Sequence, residues 1–227
     1  MASAGRGRSP AVTPDRVMRI AIIGTGNLGR ALGLRWTQAG HEVTFGSRDP
    51  ASDRVQELVR QGGGRARAVP VAQAAREAEV IVLATPWGGT EGALRQLGPV
   101  PGRILIDATN PLAPNLSGLT LGHASSAAEQ VAEWAPGARV VKAFNTTGAG
   151  NIENPHYGAL TVTMFVCGDD PAAKAAVMSL AQDISLEPVD TGPLTMARYL
   201  EPLAMLWVSL AYARGMGPNF ALKLLTR

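Results

Sequence analysis

The sequence predicts an α/β fold, a doubly wound parallel sheet with a smaller α/β half at its C-terminal end. Two observations carry that expectation. From residue 17 onward, short aliphatic and β-branched runs alternate with amphipathic helical patterns, which is the order of βαβ units. The first of those runs leads directly into "GTGNLG" (24–29), and that turn leads directly into a helix carrying Leu28, Leu32, Leu34 and Trp36.

Taken in order, the strands are expected at "MRIAIIG" (18–24), "EVTFGS" (42–47), the weaker "RARAV" (65–69), "EVIVLAT" (79–85), "RILIDAT" (103–109) and "ARVVKAF" (138–144). Helices are expected between them at 28–39, 51–61, 71–77, 88–97 and 126–134, the last opened by Ser126 and Glu129 at capping-box spacing. The loop "NTTGAGNIENPHYG" follows, then the strand "LTVTMFVC" and a helix from Asp170 or Pro171 to Ile184. A strand "LEPVDT" and a long helix from Pro193 to Ala213 complete the chain, with Pro202 marking a kink or an offset start in that helix. Residues 145 to 165 read as the join, so the expected division is a disordered tail at 1–17, a first domain at 18–144 and a second at 145–227.

At 227 residues and 46% apolar content the chain can bury a full core. Its formal charge of +3 is concentrated at the start, where Arg6, Arg8 and Arg16 face only Asp15. No basic stripe with interleaved aromatics is present, which argues against nucleic-acid binding. The lone cysteine, Cys167, cannot form an internal disulfide; it reads as a buried, inert thiol in a reducing, cytoplasmic compartment. "LAMLWVSLAYA" (203–213) is too short to span a bilayer. It is apolar over most of its circumference, and either a homodimer is expected to cover it or the run is buried within its own chain.

"GTGNLG" places Gly24, Gly26 and Gly29 as a Rossmann-type dinucleotide turn needs them. The first allows the sharp exit from the strand, the second lets the backbone approach a pyrophosphate, and the third lets the helix pack on the sheet. The phosphates then meet the free N–H groups of the helix N-terminus. An NAD site puts a carboxylate about twenty residues after the first glycine to hold the ribose 2′-hydroxyl. Here that neighbourhood reads Gly46, Ser47, Arg48. A guanidinium attracts a 2′-phosphate that a carboxylate would repel, so the expected cofactor is NADP.

Ligands of doubly wound sheets gather at the carboxyl ends of the strands near the reversal of strand order. "ATPWGG", "DATNP" and "KAFNTTGAGN" fall there. Thr85 and Pro86 are expected to wall the cofactor. Trp87 could either wall the nicotinamide or pad the sheet edge. Asp107 and Asn110 either touch a ribose or turn the chain. Asn145 and Thr146 are the candidate catalytic residues, expected to orient a flat acceptor beside Gly148. No cluster of metal ligands is evident, and of the three histidines His41 reads as structural.

These residues are similar to those of the reductases that pass hydride between NADPH and the 8-hydroxy-5-deazaflavin coenzyme. "GTGNLG", "GSR", "PW", "SAAEQVAE", "CGDD", "DTGPL" and "RGMG" occur in that family's order and spacing, from about residue 18 to the C-terminus. The resemblance implies a Rossmann half and a smaller C-terminal half completing the substrate cleft, a dimer, and deazaflavin as co-substrate. It implies NADP held by Gly24, Thr25, Gly26, Asn27 and Leu28 of the turn with Ser47 and Arg48, and Arg54 taking the place of a lysine of the archaeal members. The chain departs from those archaeal members at "IDATNPL" and at "KAFNTTGAGN", where they carry histidine at the position of Asn145. Both departures lie where the small-molecule hydride acceptor should sit. A reductase of a flavin, an imine or a carbonyl, and a non-catalytic NADP-sensing module, are the alternatives.

Overall fold

The computed structural model describes residues 16–227, so nearly all of the expected tail lies outside the described residues. β1 (Arg19–Ile23), β2 (Glu42–Ser47), β3 (Ala66–Pro70), β4 (Val80–Leu83), β5 (Ile104–Asp107) and β6 (Arg139–Lys142) alternate with α1 (Asn27–Ala39), α2 (Asp53–Gln61), α3 (Val71–Ala74), α4 (Trp87–Leu97) and α5 (Ala127–Trp134). The second half follows as α6 (Ala149–Glu153), the small hairpin β7 (His156–Tyr157) and β8 (Leu160–Thr161), then β9 (Thr163–Gly168), α7 (Pro171–Asp183), β10 (Glu187–Asp190) and α8 (Ala197–Val208). Eight strands form one sheet in the order β10-β9-β6-β5-β4-β1-β2-β3. All neighbours are parallel except β6 and β9, where Lys142 lies opposite Cys167. Strand order reverses between β1 and β4, and this opens a crevice at their carboxyl ends.

The expected elements are present, but the strand expected at 160–167 breaks at Val162 into β8, paired with β7, and β9; the loop expected before it holds α6 and β7; and two helices change extent. The helix after β3 stops at Ala74. The long C-terminal helix is three pieces: a 3₁₀ turn at Leu194–Met196, α8 with Pro202 inside it, and a π-helical turn at Ser209–Ala213. The C-terminal half adds β9 and β10 to the edge of the same sheet. Among the described residues no helix is long and apolar enough to cross a membrane.

Alternation along the strands separates two cores. Ile20 and Ile22 pack with Leu32, Trp36, Val177 and Leu180 on the side of α1 and α7. Ala21 and Ile23 pack with Leu94, Val131 and Leu200 on the side of α4, α5 and α8. Trp36 is fully buried, donates from Nε1 to the Leu180 carbonyl at 2.9 Å, and meets Phe144 edge-on at 5.5 Å. This indole joins the first helix to both the sixth strand's exit and α7.

A buried ionic network clamps the carboxyl ends of β5 and β6. Asp107 and Lys142 are cross-strand partners. Lys142 Nζ lies 2.8 Å from Asp107 Oδ2, 2.8 Å from Glu201 Oε1 on α8, and 2.7 Å from the Thr109 carbonyl. The second oxygen of Asp107 accepts from the Thr109 N–H and hydroxyl. Glu201 accepts from the N–H groups of Ala127 and Ala128, the free donors at the start of α5. Burial works against the lysine's charge, yet the two carboxylates outweigh it and hold Lys142 above the ordinary range. Burial pushes Glu201 up, and the Cys167 thiol beside the network up to about 12, so this cysteine stays an inert thiol.

His41 is buried and structural. Its Nδ1 accepts from the Met18 N–H at 3.1 Å, so Nε2 carries the proton and faces Asp183 Oδ2 at 3.0 Å. Burial pulls its pKa below the ordinary 6.5, with Asp183 opposing. The unfolded chain therefore takes up a proton in a range where the folded chain resists it. Stability is expected to hold above about pH 6.5 and to fall as the pH drops from there, ahead of carboxylate titration. Thermal unfolding between about pH 8 and pH 5.5 checks this: His41→Gln should cost about 1 to 3 kcal/mol at the upper pH and flatten the slope across the window.

Candidate active site

β1 delivers the chain into a turn that only glycine can make. Gly24 has φ of +113°, and a Cβ there would sit 2.5 Å from the Ala84 carbonyl oxygen. At Gly29 a Cβ would stand 2.0 Å from the Gly24 carbonyl oxygen, so α1 can begin this close to the turn only without one. Around Gly26 a Cβ would meet nothing within 4 Å, so this residue faces open space. α1 has no side-chain cap and no acidic residue in its first turn, which leaves its first N–H groups free for an anion.

That open space is a cleft of about 700 Å³. Gly24, Thr25, Gly26, Ser47, Arg48, Arg54, Thr85 and Pro86 line it, eight of the residues expected from the sequence. Ser47 and Arg48 stand at the carboxyl end of β2, Ser47 Oγ accepting from the Asp49 N–H at 3.2 Å. Arg54, in the first turn of α2, donates to the Thr25 carbonyl at 3.0 Å and so ties α2 to the glycine turn. Thr85 and Thr90 share a hydrogen bond of 2.9 Å that fixes the β4–α4 corner. The donor set fits a dinucleotide bearing a 2′-phosphate: free helix N–H groups at one point, and a hydroxyl with two guanidinium groups at another.

The remaining expected residues lie outside that lining. Asn27 and Leu28 are in the first turn of α1, where their contribution is backbone N–H. Trp87 stacks on Trp134 at 5.2 Å, joining α4 to α5, so one face of its ring is occupied. Asn110 and Asn145 are bonded to each other: Asn145 Nδ2 donates to Asn110 Oδ1 at 3.0 Å and to the Leu200 carbonyl at 3.3 Å, while Asn110 Nδ2 donates to the Asn145 carbonyl at 2.9 Å. These bonds orient the Asn145 amide. They leave its Oδ1, and the hydroxyl of Thr146, buried without a partner.

The segment holding them turns out of β6 at Phe144, a buried non-glycine residue with φ of +62°. The space expected beside Gly148 is filled by protein: a Cβ there would be 2.6 Å from the Trp207 ring. Trp207 in turn stacks on Phe220 at 5.2 Å, and its Nε1 donates to the Phe220 carbonyl, which also accepts from Asn151. Lys142, three residues before Asn145, serves the buried network.

Sequence reasoning missed the rest of the lining: Asp49, Ser52 and Val55 at the start of α2, Val71 of α3, and Gly89, Gly92, Ala93 and Gln96 of α4. The recurrence of Gly89, Gly92 or Ala93, and Gln96 at helical spacing was the available signal.

A family model described as "NADP oxidoreductase coenzyme F420-dependent" matches residues 19–111. The F420-dependent NADP reductase of Methanothermobacter marburgensis is 32% identical over 209 residues, which cover 85% of this chain and 92% of that protein. Metalloreductase STEAP3 of Rattus norvegicus is 31% identical over 198 residues, 87% of this chain and 38% of that one. Among solved structures, a putative F420-dependent NADP reductase from Arthrobacter sp. FB24 superposes with a TM-score of 0.83 at 32% identity, over 92% of this chain and all of that one. With a relative 32% identical over 85% of its length, this chain belongs to the F420-dependent NADP reductase family.

Proposed function

We propose that the protein transfers hydride between NADPH and a deazaflavin coenzyme. The observation that carries this reading is the cleft at the strand-order reversal, with its glycine turn at one side and Ser47 and Arg48 at the other, in a chain whose relative of nearly equal length is named for that reaction. The hydride chemistry belongs to the two bound coenzymes; the protein supplies alignment, charge and exclusion of water.

In this reading Gly24, Thr25 and Gly26, with the first N–H groups of α1, hold the pyrophosphate. Ser47, Arg48 and Arg54 hold the 2′-phosphate, and Thr85 and Pro86 wall the nicotinamide side. Asn145 and Thr146, braced by Asn110, orient the acceptor through their unpartnered oxygens. Neither ionises near neutral pH, so they position the ring and leave proton transfer to solvent. Residues 18–144 thus bind the dinucleotide and residues 145–227 complete the acceptor side. The same C-terminal half is the proposed homodimer contact: Tyr199 and Leu206, seven residues apart on α8, are 68% and 52% exposed, and Tyr212 just beyond is 58% exposed. The buried thiol of Cys167 and the described residues' lack of any other cysteine support a cytoplasmic setting.

Mixing the protein with NADPH and, in turn, oxidised deazaflavin, flavin and a cyclic imine tests the function. Rapid NADPH oxidation with deazaflavin alone is expected; oxidation with flavin alone would move the protein to the metalloreductase chemistry, and NADPH binding without turnover would make it a sensor. Fluorescence titration should show NADPH bound more tightly than NADH by about two orders of magnitude, with most of that preference lost in Arg48→Ala. Thr146→Val removes one unpartnered hydroxyl and keeps the side-chain shape. It should lower kcat/KM for the acceptor by roughly tenfold while leaving the Kd for NADPH and the melting temperature nearly unchanged. Light scattering at micromolar concentration should report a dimer, and Leu206→Glu should shift it toward monomer.

A further inference from the structure

Beyond the phosphate turn and the 2′-phosphate pair, the cleft continues along a wall with no assigned role. Val55 and Val71, both buried, and Ala93 make that wall apolar. Gly89 and Gly92 leave the cleft-facing side of α4 bare, since a Cβ at either would meet nothing within 4 Å. One turn beyond stands Gln96, exposed, lining the same cleft, with no hydrogen-bond partner for its side chain among the described residues. Ser47 and Arg48 line the same cleft.

A slot with apolar sides and one amide at its edge has the chemistry of a flat aromatic base with a mixed donor and acceptor rim. Both rings of a 2′-phosphorylated dinucleotide are flat with a donor and an acceptor, but the adenine is the one joined to the phosphate-bearing ribose, and Gln96 lines the same cleft as Ser47 and Arg48. The adenine amino group donates and its N7 accepts, and a glutamine amide answers both at once, Oε1 taking the amino hydrogen and Nε2 donating to N7. We propose that Gln96 reads the amino-bearing edge of the adenine, making it a specificity residue for the base as Arg48 is for the ribose phosphate. This rests on the NADPH reading of the cleft.

The hypoxanthine counterpart of NADPH separates the two ideas. On the edge that carries N7 a carbonyl replaces the amine, so O6 and N7 are both acceptors, and the amide's donor can satisfy only one of them. Fluorescence titration should give a Kd about tenfold lower for NADPH than for the hypoxanthine form with the unaltered protein. In Gln96→Leu the two should bind alike, NADPH having weakened to the level of its counterpart, while the preference for NADPH over NADH persists because Ser47 and Arg48 are intact. A melting temperature equal to that of the unaltered protein shows that the variant is folded, as expected for an exposed position. A base preference that survives in Gln96→Leu, or one absent from the unaltered protein, overturns the proposal while leaving the dinucleotide reading in place. Failure of both NADPH forms to bind overturns both.

Discussion

The alignment of the β5 and β6 exits depends on one buried cation. Lys142 sits where β6 ends, and its three N–H bonds run to Asp107 at the end of β5, to the Thr109 carbonyl just beyond it, and to Glu201 on α8. Each carboxylate oxygen left over is used by a backbone or hydroxyl donor, so the network is satisfied as well as charged. In a buried ionic network that complete, removing one partner costs about 3 to 5 kcal/mol, because the others keep their charge without compensation. What the network secures is alignment. Two loops that leave adjacent strands are held at one height, and α8 is held against both.

α8 therefore acts on the acceptor side through consecutive residues. Glu201 takes the Lys142 ammonium, and the Leu200 carbonyl takes the Asn145 amide. The orientation of Asn145 is fixed from α8 and from Asn110 together, and its free oxygen follows from that. A chain in which β9 and β10 join the same sheet needs such a tie, since α8 returns from the far edge to reach the strand ends. Trp207, one face on Phe220 and its edge in the space left by Gly148, holds the far end of the same helix to the loop.

The dinucleotide half was legible in the sequence because its determinants are local. A glycine turn, a strand and a helix N-terminus follow one another within a dozen residues, and Ser47 and Arg48 are placed by the next strand. β3 could be recognised even from a weak pattern, because an edge strand between two helices has few alternatives. The network was not legible. Asp107 and Lys142 are 35 residues apart and Glu201 lies 59 further on, inside a helix whose apolar pattern gives no hint that one acid points inward. Trp87 and Gly148 show the same limit: each was assigned by its position at a strand exit, and in the fold each is met by a tryptophan, Trp134 and Trp207, brought from elsewhere in the chain. The α4 wall failed for another reason, since a helix with three glycines reads as a poor helix before it reads as a surface kept bare.

The distribution of charge completes the case for hydride transfer between two coenzymes. Two cations, Arg48 and Arg54, line the cleft beside Ser47, with Asp49 next to them. At the exits of β5 and β6 Lys142, Asp107 and Glu201 are buried and paired with one another, and the unpartnered atoms are an amide oxygen and a hydroxyl. A hydride carries its own electrons and needs no protein acid or base while it moves, but it is sensitive to the distance between donor and acceptor rings. Neutral groups that orient a ring, set at strand exits stiffened by a satisfied ionic network, suit that requirement. An ionisable side chain at the same place would be stabilised or destabilised by the charge that a nicotinamide gains and loses, and would shift its own proton during turnover. The separation of a cationic binding end from a neutral reacting end lets the site hold NADPH firmly and stay unperturbed in its own protonation as the hydride passes.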